Sequence, residues 1–186
     1  MPLNGTTEEV RAEVRRIKDE TRGWRHIVGL SDDILAGTPL GGILIENGID
    51  PMSVDGAVGL PYRSPNFSLD LHTPKIGVPV LWWLAVGNSH TAFSIETFID
   101  ELATLAKKDA VEFRRAHLLE RPRHLRVLNL AAEKSGWGKT VSPGKGYGIA
   151  LHEAFNTVVA QVAEVTVTKD GEVKVDRVTC VVDCGL

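Results

Sequence analysis

The succession of local patterns predicts an α+β fold, with loops and a strand first, a helical cluster over about 91–135, and strands after it. Three observations carry this. The spacing of apolar residues is helical from Thr91 to Ser135. It turns to alternation beyond Gly148. Asp170-Gly171 lies between two alternating runs, a strong hairpin signal.

The elements follow in chain order. Thr6 to Glu20 reads as a helix, with Thr6 and Glu9 in capping-box spacing and a narrow stripe of Val10, Val14 and Ile17. Gly23 to Leu60 is rich in Gly and Pro and reads as loops, turns and at most one short strand. So long a loop-rich stretch is unusual inside one compact domain. It implies a segment that wraps a partner or that lacks what it packs against. Phe67 to Thr73 alternates like a half-buried strand, and Val78 to Trp83 reads as a strand buried on both faces.

In the helical cluster, Ala92, Ile95, Ile99, Leu102 and Ala106 share one face, widened by Phe98 and Leu105. A second helix starts at Asp109, in capping-box spacing with Glu112, and turns Phe113 and Ala116 inward. Pro122 suits the first position of a third helix, lined by Leu125, Leu128 and Ala132 and stopped by Gly136. Trp137 to Gly148 reads as a loop. Strands are expected over Tyr147–Phe155, Val158–Thr168 and Glu172–Asp183. The chain stops just after the last of these, which gives it the look of a truncated piece.

Composition bounds the function. The 186 residues include 21 Lys+Arg, 24 Asp+Glu and two cysteines, with a net charge of −3. The balance argues against a broad nucleic-acid footprint. Two cysteines make neither a disulfide scaffold nor a four-cysteine zinc site. No apolar run approaches the roughly 20 residues of a membrane span, and no signal peptide opens the chain. The compartment stays open between cytoplasm and periplasm.

Four places invite a chemical reading. Trp82 to His90 is a strand-to-helix junction, where unpaired N–H groups attract anions and Gly87 permits close approach of a ligand. The simpler alternative is that Ser89 or Asn88 caps the helix and Gly87 makes a turn. Gly144-Lys145-Gly146-Tyr147-Gly148 hints at a phosphate loop but precedes a strand and lacks the full spacing. Cys180 and Cys184 would share a strand face about 13 Å apart, too far for a disulfide, and are expected to be buried, inert thiols. His152 and Glu153 would point to opposite faces, His152 as an ordinary half-buried histidine. No catalytic side chain and no metal ligand is assigned.

Longer strings of residues carry a resemblance. Val78-Pro79-Val80-Leu81-Trp82-Trp83, Val86-Gly87-Asn88-Ser89-His90-Thr91-Ala92-Phe93 and Glu96-Thr97-Phe98-Ile99-Asp100-Glu101-Leu102-Ala103 are three of them. Glu112-Phe113-Arg114-Arg115, Gly148-Ile149-Ala150-Leu151-His152-Glu153 and Val182-Asp183-Cys184-Gly185 continue the series. From Gly23 onward the chain resembles the molybdenum hydroxylases, the bacterial xanthine oxidase and aldehyde oxidoreductase family. It looks most like the β subunit of isoquinoline oxidoreductase-type enzymes. Residues 1–22 match poorly, and 23–186 would be part of a molybdopterin-binding domain.

The resemblance implies a redox hydroxylation of an N-heteroaromatic, or oxidation of an aldehyde, at molybdenum held by molybdopterin cytosine dinucleotide. A family glutamate near the C-terminus acts as base, and no glutamate here matches it. Electrons leave through a small subunit with two [2Fe–2S] clusters. Trp83, Leu84, Ala85, Val86 and Gly87 would lie nearest the cofactor or substrate and act by backbone shape. The family usually has Arg-Ser or Arg-Gly where Leu84-Ala85 stand, so a fork of donors and one charge are missing. The expectation is a fragment inactive by itself. The alternative is a non-catalytic remnant that binds an iron–sulfur partner or self-associates through exposed apolar surface.

Overall fold

The computed structural model describes residues 49–71 and 84–185. The helix expected over Thr6–Glu20, most of the Gly23–Leu60 segment, the strand over Val78–Trp83 and Trp83 itself lie outside the described residues. Within them the fold is α+β: three helices followed by a three-stranded antiparallel sheet in the order β1-β2-β3.

Helix α1 spans Asn88–Leu105, α2 Ala110–His117 and α3 Pro122–Ser135. Asp109 caps α2 by accepting from the N–H groups of Val111 and Glu112, at 2.9 and 3.1 Å. Glu112 contacts Arg115 on the next turn. Pro122 opens α3, and Gly136 ends it in the left-handed conformation at φ 74°. Leu128, Val127, Ala131 and Ala132 of α3 are buried against the sheet.

The inner face of α1 carries Ile95, Ile99, Leu102 and Ala106, as the spacing predicts, and that of α2 carries Phe113. Phe98 and Leu105 do not widen the α1 face and are exposed, as is Ala116. The α1 face extends instead on its other flank, to Glu96 and Ala103. Glu96 thus enters the core, where the inward Arg114 of α2 meets it.

Strand β1 covers Lys145–Ala154, β2 Thr157–Val167 and β3 Val173–Asp183. The loop expected up to Gly148 ends earlier, because Gly146 and Gly148 take their places in the ladder opposite Val165 and Ala163. Phe155 and Asn156, both at positive φ, form the two-residue connection between β1 and β2. Asp170-Gly171 makes the second hairpin, closed by a bond from the Thr168 N–H to the Glu172 carbonyl at 2.9 Å. Ile149, Leu151, Val158, Ala160 and Val162 face the helices and join their apolar residues in one core.

Two further expectations fail. Residues 67–71 form no strand, and Phe67 and Leu69 are exposed. Alternation there has no partner strand to give it an inner face among the described residues. Cys180 and Cys184 are both exposed. Cys180 lies on the sheet face opposite the helices, and Cys184 follows the end of β3. Residues 50–60 form a short 3-10 helix, Pro51–Ser53, and turns, as the Gly and Pro content suggests.

Candidate functional site

The segment that enters α1 is a tight turn over residues 84–87. Leu84 and Val86 hold positive φ, 41° and 51°. For a β-branched residue this is a strained conformation, which clusters at functional sites. Leu84 is 87% exposed. The turn therefore offers an apolar side chain to solvent from a strained backbone.

The polar capacity of the junction is used internally. The N–H groups of Asn88, Ser89 and His90 bond back to the carbonyls of Ala85, Val86 and Gly87. The Ala85 N–H donates to Ser89 Oγ at 3.2 Å. Helix α1 thus starts at Asn88 with Gly87 at its cap and no capping side-chain bond. Neither Ser89 nor Asn88 caps it, which corrects the simpler alternative. The close approach permitted by Gly87 is also taken by the protein: a Cβ there would stand 2.2 Å from the Met52 carbonyl. The missing side chain lets the 3-10 segment dock, and does not admit a ligand.

Immediately beyond the turn lies an open cleft of about 340 Å³. Asp55 and Gly56, Asn88 of α1, and His152 and Glu153 of β1 line it, with Phe155 and Asn156 at one end. The volume falls in the range of small-molecule sites. Gly56 is required at φ 79°, and its absent Cβ would collide with Thr91, Asn88 and His152. Thr91 Oγ donates to the Asp55 carbonyl at 2.6 Å and so fixes the cleft wall to α1.

His152 Nε2 lies 2.8 Å from Asn88 Oδ1. In that pairing Nε2 carries the proton and Nδ1 is the basic nitrogen. Burial lowers the His152 pKa, partly offset by Glu153, so the ring is neutral near pH 7. Burial, then the charge of Asp50, raises the Asp55 carboxyl. Glu153 points the other way, toward α3, with His124 Nε2 at 2.9 Å and Arg123 Nη1 at 3.7 Å. His152 and Glu153 thus face opposite sides, as adjacent strand residues must.

A second charged cluster forms the inner wall of the same cleft, through Tyr62, Glu96 and Leu151, and is mostly buried. Arg114 is fully buried, and Glu96 and Tyr62 nearly so. Arg114 Nε and Nη2 donate to Glu96 Oε2 at 3.1 and 3.0 Å, and Nη1 donates to Asp100 at 2.6 Å. Tyr62 donates to Glu96 Oε1 at 2.7 Å, and the Leu151 N–H to Oε2 at 2.7 Å. Burial pushes the Glu96 carboxyl up, while Arg114, Tyr62 and Leu151 pull it back. Four donors aimed at two oxygens mark an ionised carboxylate. Burial, then the Glu96 charge, holds the Tyr62 hydroxyl far above its usual range, so it stays a donor.

Sequence reasoning singled out Leu84 to Gly87 and His152 but not Asp55, Gly56 or the Glu96–Arg114 pair. One signal was present. Val111, Arg114 and Leu118 share a helical stripe, which puts a charge in an inward position. The Gly144–Gly148 segment enters β1 and makes no loop for phosphate. Among the described residues no group of three or more His, Cys, Asp or Glu could hold a metal, and no helix is long and apolar enough to cross a membrane.

No family model matches the chain. The beta subunit of isoquinoline 1-oxidoreductase from Brevundimonas diminuta is 35% identical over 130 residues, covering 67% of this chain and 16% of that protein. The B subunit of nicotinate dehydrogenase from Pseudomonas putida is 28% identical over 173 residues, covering 81% of this chain and 14% of that protein. The chain therefore spans only a small part of the length of these relatives. Both are named as oxidoreductase subunits, and together they support the molybdenum hydroxylase relationship that the residues themselves suggest.

Proposed function

We propose that this chain is part of the molybdopterin-binding subunit of an oxidoreductase that hydroxylates N-heteroaromatic compounds, and that it is inactive by itself. The observation that carries this is its similarity to an isoquinoline 1-oxidoreductase subunit and a nicotinate dehydrogenase subunit, both named for N-heteroaromatic compounds. Residues 23–186 would be a partial molybdopterin-binding domain, and the partner that carries electrons away a small subunit with two [2Fe–2S] clusters.

Within that reading, Trp83, Leu84, Ala85, Val86 and Gly87 border the cofactor and substrate pocket by shape. The described part of this turn does not fit the phosphates of a cytosine dinucleotide. The N–H groups of Asn88, Ser89 and His90 are already bonded, and residues 84–87 carry no cationic side chain. An exposed leucine on a strained turn suits the face of a flat ring instead. The adjoining cleft adds a neutral imidazole and a carboxylate within reach of a heteroaromatic nitrogen. The dinucleotide would have to be held by residues other than these.

The poor fit also favours a second reading, in which the chain binds an iron–sulfur partner without cofactor. One experiment separates the two. This chain replaces the corresponding segment of the isoquinoline 1-oxidoreductase beta subunit, and the chimera is co-expressed with the iron–sulfur subunit. Molybdenum is measured by elemental mass spectrometry and pterin by fluorescence. Near-stoichiometric loading is expected. A chimera that folds and binds the iron–sulfur subunit, yet holds no molybdenum, would overturn the first reading and leave the second.

A further inference from the structure

Among the described residues strand β3 is the outermost strand of the sheet, and most of its residues are exposed. The direction of its backbone groups follows from one bond on the opposite edge. The Leu151 N–H donates to Glu96 and so points away from β2. Residues facing each other in an antiparallel ladder point both toward or both away from one another. Ala160, opposite Leu151, therefore turns toward β3 and pairs with Val181. It follows that Val178, Cys180 and Val182 direct their N–H and C=O groups outward, to an edge that has no partner strand among the described residues. The register shift in β3 lies before Arg177, and no proline interrupts Arg177–Asp183. Between the charged ends, Arg177 and Asp183, residues 178–182 carry no charge, proline or bulge of the kind that blunts edge strands.

We propose that this edge pairs with the same edge of a second copy of the chain, antiparallel, about a two-fold axis at Cys180. The sequence of β3 is complementary to itself in that register. Val178 lies opposite Val182, on the face away from the helices, where the two are 50% and 53% exposed in one copy. Thr179 lies opposite Val181. Arg177 lies opposite Asp183, on the helix-covered face, so opposite charges meet at both ends of the ladder, each also ion-paired in its own chain, Arg177 with Glu164 and Asp183 with Arg123 and Arg126. Moving the axis to Thr179 or Val181 loses this charge pairing and sets each valine against a different neighbour. The outward-pointing groups of Val178, Cys180 and Val182 then form three hydrogen-bonded pairs. The two Cys180 Cα atoms come to about 5.5 Å, within disulfide range. The pairing does not depend on the redox reading of the chain.

The test is sedimentation equilibrium of the 186-residue chain under reducing conditions, from low to high micromolar concentration. A dimer is expected. The V178K/V182K variant sets Lys against Lys in both outer pairs and should dimerise at least about tenfold more weakly. V178K/V182E sets Lys against Glu in the same pairs and should restore the dimer. Both positions are exposed in a single copy, and circular dichroism checks that each variant keeps its fold. Diamide treatment of the C184S variant should give a disulfide-linked dimer, two Cys180 thiols losing two protons and two electrons to diamide. C180S/C184S should stay dimeric and form no link. A wild-type monomer at high micromolar concentration would overturn the proposal. So would V178K/V182K and V178K/V182E dimers as tight as wild type, or as much diamide-linked dimer from C180S, which keeps Cys184, as from C184S.

Discussion

Two neighbouring residues of β1 tether it to α1 in different ways. The Leu151 N–H reaches Glu96 in a mostly buried cluster on the inner wall of the cleft, whereas the His152 imidazole reaches Asn88 on its open side. In the buried cluster the Glu96 carboxylate has a counter-charge and four donors. In the open one, a carboxylate raised by burial and a neutral imidazole face a space large enough for a ligand. The polar residues here divide accordingly. Glu96, Arg114 and Tyr62 hold segments together, and Asp55, Asn88 and His152 leave capacity for binding.

The contrast is greatest at Arg114. Arg114→Met strands the Glu96 carboxylate in the core and should cost about 3–5 kcal/mol, read as a large fall in the urea midpoint. His152→Gln should change stability by no more than about 1 kcal/mol, because a polar group at the cleft can turn to water. Equal losses would erase the distinction.

A smaller effect is expected at the junction. Gly87→Ala drives a Cβ against the Met52 carbonyl and should cost about 1–3 kcal/mol while releasing the cleft wall. Faster hydrogen exchange at residues 52–56 than at α3 would show the release. Asp109→Ala removes the side-chain cap of α2 and a bond from Trp137 Nε1, at about 1 kcal/mol by thermal unfolding.

The smallest expected effect is on pH. Burial lowers the His152 pKa below its usual value near 6.5, so the unfolded chain binds more protons below that point. The His152 contribution is full above about pH 6.5 and is lost as pH falls toward the folded-state value. His124, lowered by burial despite Glu153, acts in the same direction. The acid-side slope of stability should therefore shrink in His152→Gln and shrink further when His124→Gln is added. An unchanged slope in the double variant would contradict the assignment.

Much of the helical cluster was legible because its signals are local. Asp109, Pro122 and Gly136 act within one turn of chain, and each stands where its chemistry requires. The Asp170-Gly171 hairpin is local in the same sense. The Phe155-Asn156 turn was less legible, since it lacks the usual glycine and is held by the long β1–β2 ladder. The burial of Glu96 depends on Arg114, 18 residues away, and no periodicity in α1 alone reports it. The junction was visible as a glycine in a strand-to-helix turn. That its space is filled by Met52, far earlier in the chain, was not. Exposure of Cys180 likewise depends on which sheet face the helices cover.

That the turn and cleft form the open, ligand-facing part of this chain is tested most directly by amide and imidazole NMR during titration with isoquinoline. Shifts are expected to group at residues 55–62, 84–88 and 152–156, including the His152 ring, with Phe113, Arg114 and the α3 amides unmoved. Shifts centred on α3 or the outer sheet face, or none at millimolar isoquinoline, would contradict this assignment.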